Sequence, residues 1–148
     1  MDRQDLLGKL AMHWEALLET VGRVPEGAME AAGVAGEWSV KDLLGHITTW
    51  EEEAIKTREA GRSGLNLPSY GDTDDWNERD VIKRRSRSVH TTLVELGAVH
   101  QRFVSWLEGL PDEAFRDDEL ATMVDDESAE HYRDHGDDIE RWLAARGG

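Results

Sequence analysis

The run Ser128 to Leu143, SAEHYRDHGDDIERWL, places His131 and His135 four residues apart in an acidic and apolar stretch. On a helix that spacing stacks two imidazoles on one face, where both can bind a single divalent ion. Counting about 100° per residue from His131, His135 falls at about 40°, Trp142 and Val124 at about 20° and Ile139 at about 80°. Both histidines therefore share the apolar side of their helix. His46, on an earlier segment, lies at the edge of an apolar stripe, one turn from Leu43 and Trp50. A third imidazole from a facing helix completes a three-nitrogen set. The competing reading is that these are core-edge histidines satisfied by ordinary hydrogen bonds. Unpaired, each buried imidazole costs about 1–3 kcal/mol, and one ion would satisfy two neighbours at once. Spacing alone leaves both readings open. His100, in mid-stripe between Leu96 and Phe103, can be a fourth ligand, a base or partner behind a ligand, or a core histidine, and a core or supporting place is preferred. His13 and His90 read as surface residues.

Four segments of helical period must position these groups. The first, from about Arg3 to Gly22, carries Leu6, Leu7, Leu10, Trp14, Leu17, Leu18 and Val21. After a Gly- and Ala-rich loop, SVKD opens the second at Ser39 with a capping-box pattern completed by Asp42. Its stripe is Val40, Leu43, Leu44, Ile47, Trp50 and Ala54, and the spacing predicts an end near Arg58. Residues 61–75, GRSGLNLPSYGDTDD, read as a loop long enough to be a lid. A third helix is predicted from Trp76 to about Glu108, with Ile82, Val89, Leu93, Leu96, Phe103, Val104 and Leu107 inward. The fourth is predicted to begin near Thr122 and to end at the terminal glycines. Amphipathic helices without a strand signal describe an all-α, four-helix bundle, and the long loops imply crossover connections.

The chain has 148 residues, the length of one domain. Its 17 Lys and Arg against 32 Asp and Glu give a net charge of −15, which repels phosphate backbones and anionic lipid. No nucleic-acid or membrane partner is expected, and without a signal peptide or spanning segment the expected location is the cytoplasm. There are no cysteines, so any thiol must come from outside and any metal must rest on His and carboxylate ligands.

GEWSVKDLLGHITTWEEEA, residues 36–54, together with SAEHYRDHGDDIERWL, resembles the two signature ends of the DinB-like superfamily. The first pairs a Trp-Ser start with a helix-2 histidine, and the second supplies a His-Tyr-x-x-His run. The middle, DDWNERDVIKRRSRSVHTTLVEL, looks like the branch that includes the ClbS and DfsB proteins. The resemblance covers nearly the whole chain and implies a four-helix bundle with long crossover connections, often dimeric. It also implies a divalent ion, Zn or Ni, on three histidines, which carried over by position are His46, His131 and His135. Relatives include transferases and isomerases that use a low-molecular-weight thiol, and a hydrolase protecting against a DNA-damaging metabolite. Two departures stand out: Gly136 follows the last ligand, and residues 115–123 offer no alignable catalytic group.

Three neutral imidazoles leave coordination positions open for water or thiolate. The leading expectation is a metal-dependent enzyme that activates either one against a small electrophilic substrate, as an S-transferase or hydrolase in detoxification or stress response. Trp50, Trp76, Asn77 and His100 are assigned to the pocket and its surroundings. Asp42 and Glu53, at i−4 and i+7 from His46, are the candidate carboxylates behind the ligands. The alternative is a non-catalytic binding or stress-response module with a structural or vestigial ion. A di-iron bundle fits worse, because the Glu-x-x-His spacing fails at Ser128 and Tyr132.

Overall fold

A computed structural model describes residues 2–64 and 69–147. Among the described residues six α-helices follow one another: α1 (Arg3–Gly22), α2 (Val40–Arg62), α3 (Thr73–Arg84), α4 (Val89–Glu108), α5 (Asp118–Val124) and α6 (Glu130–Ala145). A five-residue π-helical stretch, Asp125–Ala129, joins α5 to α6. Among the described residues there is no strand, only an isolated bridge between Ala35 and Trp38. The bundle is made by α1, α2, α4 and α6: α2 packs chiefly on α4, α1 on α6, and α2 also meets α6. The chain thus crosses over between α1 and α2 rather than forming a tight hairpin. No helix among the described residues is long and apolar enough to cross a membrane.

Local chemistry sets the helix starts. Asp2, Ser39, Asp72, Ser88 and Asp117 each accept a hydrogen bond from a backbone N–H in the first turn, at 2.8–3.0 Å, a device worth about 1 kcal/mol each. At Ser39 the arrangement is reciprocal, since the Ser39 N–H donates to Asp42 Oδ2 at 3.0 Å. The core gathers Leu6, Leu10 and Leu17 of α1 with Leu43, Leu44 and Ile47 of α2, Leu96, Phe103 and Leu107 of α4, and Ile139 and Leu143 of α6.

Several boundaries correct the sequence reading. The second helix runs one turn further, to Arg62. The third segment is two helices, not one: the α-helical ladder breaks at residues 85–88 and restarts on the Ser88 cap. That break changes the phase of the preceding stripe, so Val81 is buried while Ile82 is 56 % exposed. Leu93, also placed inward by a continuous helix, is 38 % exposed, as is Leu18 of α1 at 44 %. The last segment begins at the Asp117 cap rather than near Thr122. Of the proposed lid, residues 65–68 lie outside the described residues, and α3 already begins at Thr73. Gly136 is buried where α6 meets α1, but a Cβ there would stand 3.8 Å from Leu17 Cδ1, an ordinary contact.

Candidate metal centre

The second helix brings His46, and α6 brings His131 and His135, to the seam where α2 and α6 meet. Their ring centroids form a near-equilateral triangle, with sides of 5.2, 5.3 and 5.3 Å. One nitrogen from each ring lies within 4.8 Å of the other two. A short turn through Gly36, at φ +60°, returns the chain at Trp38, whose ring leans on His46 at 5.1 Å. That turn needs the left-handed region glycine tolerates.

Burial keeps two of the three imidazoles neutral. Burial, followed by the nearby imidazoles of His131 and His135, holds His46 down at about 3. Burial and then His135 hold His131 at about 4. Neutral imidazoles are what a divalent ion requires. The Nδ1 atom of His131 is buried and makes no hydrogen bond of good geometry among the described residues, although the Glu127 backbone lies near enough to favour its protonated form. His135 is anchored through Nδ1, 3.1 Å from Asp138 Oδ2, which leaves Nε2 for a ligand. A carboxylate behind a histidine in this way fixes ring orientation and tautomer. Three clustered imidazole nitrogens, one with a buried partner atom that lacks a hydrogen bond of good geometry and one braced by a carboxylate, fit a borderline-soft divalent ion such as Zn or Ni.

Next to the cluster lies a cavity of about 580 Å³. Trp50, one turn beyond His46, and Glu127, one turn before His131, both line it, with Ala54, Tyr70 and Met123. Trp50 is fixed by its indole N–H donating to Asn77 Oδ1 at 2.7 Å. Trp76 backs this wall, with ring centroids 4.9 Å from Trp50 and 5.3 Å from Tyr70. Burial, then the charge of Asp126, raises Glu127 to about 7.

Of the remaining assigned residues, Glu53 lines the cavity and Asp42 and His100 do not. Asp42 is engaged in the Ser39 cap and by Arg85 at 3.4 Å. Glu53 accepts from the Tyr70 hydroxyl at 2.9 Å and lines the cavity. His100 stacks on Trp14 at 3.8 Å, and its Nδ1 is 2.6 Å from the Tyr132 hydroxyl, on the α1 side of α6. Burial lowers it to about 4. The same Tyr132 hydroxyl donates to Glu51 Oε2 at 2.6 Å, and Ser128 Oγ donates to that oxygen at 3.2 Å.

Sequence reasoning missed both Asp138 and Glu51. Asp138 was detectable as the residue three positions after His135, within reach on the same helix face. Glu51 stands at i+7 from Leu44 and i+4 from Ile47, a core position hidden by the run of three glutamates.

A search of curated proteins finds no match. Among solved structures, the protein titled Sibling Lethal Factor Precursor, DfsB, superposes with a TM-score of 0.87 at 9 % identity, over 99 % of this chain and 98 % of that one. An uncharacterised protein from Escherichia coli UTI89 gives 0.83 at 15 % identity, over 98 % and 94 %. The colibactin self-resistance protein ClbS, solved in complex with double-stranded DNA, gives 0.82 at 12 % identity, over 97 % and 96 %. At such identities the likeness is one of fold. The family model of the DinB superfamily matches residues 9–140, nearly the whole bundle and all three histidines, and the chain belongs to that superfamily.

Proposed function

We propose that this protein holds one divalent ion on His46, His131 and His135 and acts on a small electrophilic substrate in the adjoining cavity. The observation that carries the reading is the three-imidazole cluster, with His46 and His131 held neutral by burial, one helical turn from the walls of an aromatic cavity. When bound, such an ion supplies a nucleophile near neutral pH by lowering the pKa of a water or an external thiol. Asp138 holds the His135 ring in place. Trp50 and Tyr70 orient the substrate, and the Glu127 carboxyl, poised near neutrality, can hold or release a proton at the cavity wall. The absence of cysteine means that a thiol route would use a small thiol from outside.

Elemental analysis of protein purified without a His tag tests the site. About one Zn or Ni per chain is expected, with the ion lost in the combined His46→Ala, His131→Ala and His135→Ala variant. Wild-type protein that carries no ion, and melts identically with and without added Zn or Ni, would overturn the ligand assignment.

The DNA complex of ClbS raises nucleic-acid contact as a second reading. The charge of −15 opposes it. The one basic run, residues 83–87, is largely committed internally: Arg84 and Arg87 pair with Glu95 at 3.1 and 2.6 Å, and Arg85 with Asp42 at 3.4 Å. No retention of duplex DNA is expected in a mobility-shift assay at physiological salt. Retention that weakens steeply with added salt would favour the DNA reading.

A further inference from the structure

The cavity beside the histidines has a charge character that narrows its ligand. Its fixed wall is aromatic: Trp50 is locked by Asn77, and the Tyr70 hydroxyl is held between Glu53 Oε2 at 2.9 Å and Thr57 Oγ1 at 3.2 Å. Ala54 and Met123 add apolar surface. Three of the four charged side chains that line the cavity are acids, Glu53, Glu119 and Glu127. The cationic lining residue, Arg58, is already bound to Asp117 at 2.6 Å. Glu53 shares an exposed lysine, Lys56, at 3.1 Å. Among the described residues neither the Glu119 nor the Glu127 side chain has an ion pair or hydrogen bond. Aromatic faces and unpaired carboxylates around one open cleft are complementary to a cation attached to an apolar body. A carboxylate-bearing ligand would meet like charge there, in a protein whose overall field is already repulsive to anions.

We infer that the cavity lined by Trp50, Tyr70, Glu119 and Glu127 selects small molecules that join a protonated or quaternary amine to an apolar group, and rejects anionic ones. The inference rests on the proposed function in taking this cavity as the substrate site, and it names the substrate class.

Three probes of similar size and different charge test it: phenethylammonium, 2-phenylethanol and 3-phenylpropionate. Binding is read from tryptophan fluorescence and by calorimetry, on protein with and without added Zn. Phenethylammonium is expected to bind at least tenfold more tightly than the alcohol, with no measurable binding of the carboxylate. The Glu119→Gln, Glu127→Gln double variant is expected to lower amine affinity about tenfold while leaving the alcohol unchanged. Equal affinity for amine and alcohol, tighter binding of the carboxylate, no binding of any probe, or amine binding indifferent to the double variant would each overturn the inference. The same titration on the triple histidine variant separates the two claims. Charge selectivity retained there, with the metal lost, supports both; absent metal in the wild type sinks only the ion, and absent selectivity in metal-loaded protein sinks only the substrate class.

Discussion

Glu51→Gln will flatten the fall in stability that the metal-free wild type shows between about pH 6.5 and pH 8. Glu51 is wholly buried, and among the described residues no cation pairs with it. Its Oε2 accepts from Tyr132 and Ser128, while Oε1 is buried without a partner. Burial therefore lifts the carboxyl from 4.5 to about 8, against the opposing pull of the two hydroxyls. The folded chain keeps a proton that the unfolded chain releases above 4.5, so rising pH favours unfolding until the folded group ionises near 8. Each pH unit in that window is worth about 1.4 kcal/mol, and the whole window several. The histidines act with the opposite sign. His46, His131 and His100 stay neutral when folded down to about 3 to 4 but gain protons below 6.5 when unfolded. Their contribution is complete above 6.5 and is lost as pH falls. Glu127, raised to about 7, adds a smaller penalty of the Glu51 sign that saturates near 7. From 7 to 8 the slope then belongs chiefly to Glu51.

Glutamine keeps an acceptor for both hydroxyls and cannot ionise, although its amide inherits the unpartnered position at about 1–3 kcal/mol. The slope, rather than the stability at any one pH, is thus the diagnostic quantity. Chemical denaturation of both proteins in chelator, at half-unit intervals from pH 5.5 to 8.5, measures it. Parallel curves between 7 and 8 would mean that Glu51 is ionised in the folded protein and that the trio with Tyr132 and Ser128 stabilises the anion.

How much of this was legible in the sequence depends on whether the signal is local. The bounds of α1 and the Ser39–Asp42 cap follow from propensity and capping chemistry, whereas His131 and His135 are half-buried beside the core face of α6, which Tyr132, Gly136, Ile139 and Leu143 form. The break after Arg84 was hidden because Lys and Arg are good helix formers and the apolar period resumes at Val89 after four residues. Only Ser88, a cap residue inside an apparently continuous helix, marked it. The π stretch at Asp125–Ala129 shifts the hydrogen-bond register by one residue and so offsets the apolar phase, which is why a regular count from Val124 misplaces the buried face of α6. Yet that stretch carries Ser128, which joins Tyr132 from the following helix on the Glu51 carboxyl. Asp42 and Glu53 lay on the correct helix face, but a shared face is not a contact. Asp42 was taken by the cap and Arg85, Glu53 by Tyr70 and Lys56.

Asp138 makes the contact with a candidate ligand that those two carboxylates do not, and Asp138→Ala is expected to weaken Zn binding about 10- to 100-fold while leaving the metal-free fold nearly unchanged. The two effects separate because of where the carboxylate sits. It is partly exposed, on the same helix as His135, and its other polar contact is the surface residue Arg141. An exposed pair of that kind contributes at most about 1 kcal/mol to folding. Its influence on the ring is larger, because the 3.1 Å contact at Nδ1 holds the proton on that nitrogen and leaves Nε2 free, in a ring whose centroid is 5.3 Å from those of His46 and His131. Without the carboxylate the imidazole must be oriented anew on each binding event, and its lone pair is less basic. Asp137→Ala removes the same formal charge from the adjacent exposed position without a hydrogen bond to the ring, and should weaken binding severalfold at most. Asp138→Asn, which keeps an acceptor and loses the charge, should fall between the two. Competition with a chromophoric chelator at constant pH measures all four proteins on one scale. Equal losses in Asp137→Ala and Asp138→Ala would show that only the local negative field matters. An unchanged affinity in Asp138→Ala would mean that the helix alone orients His135.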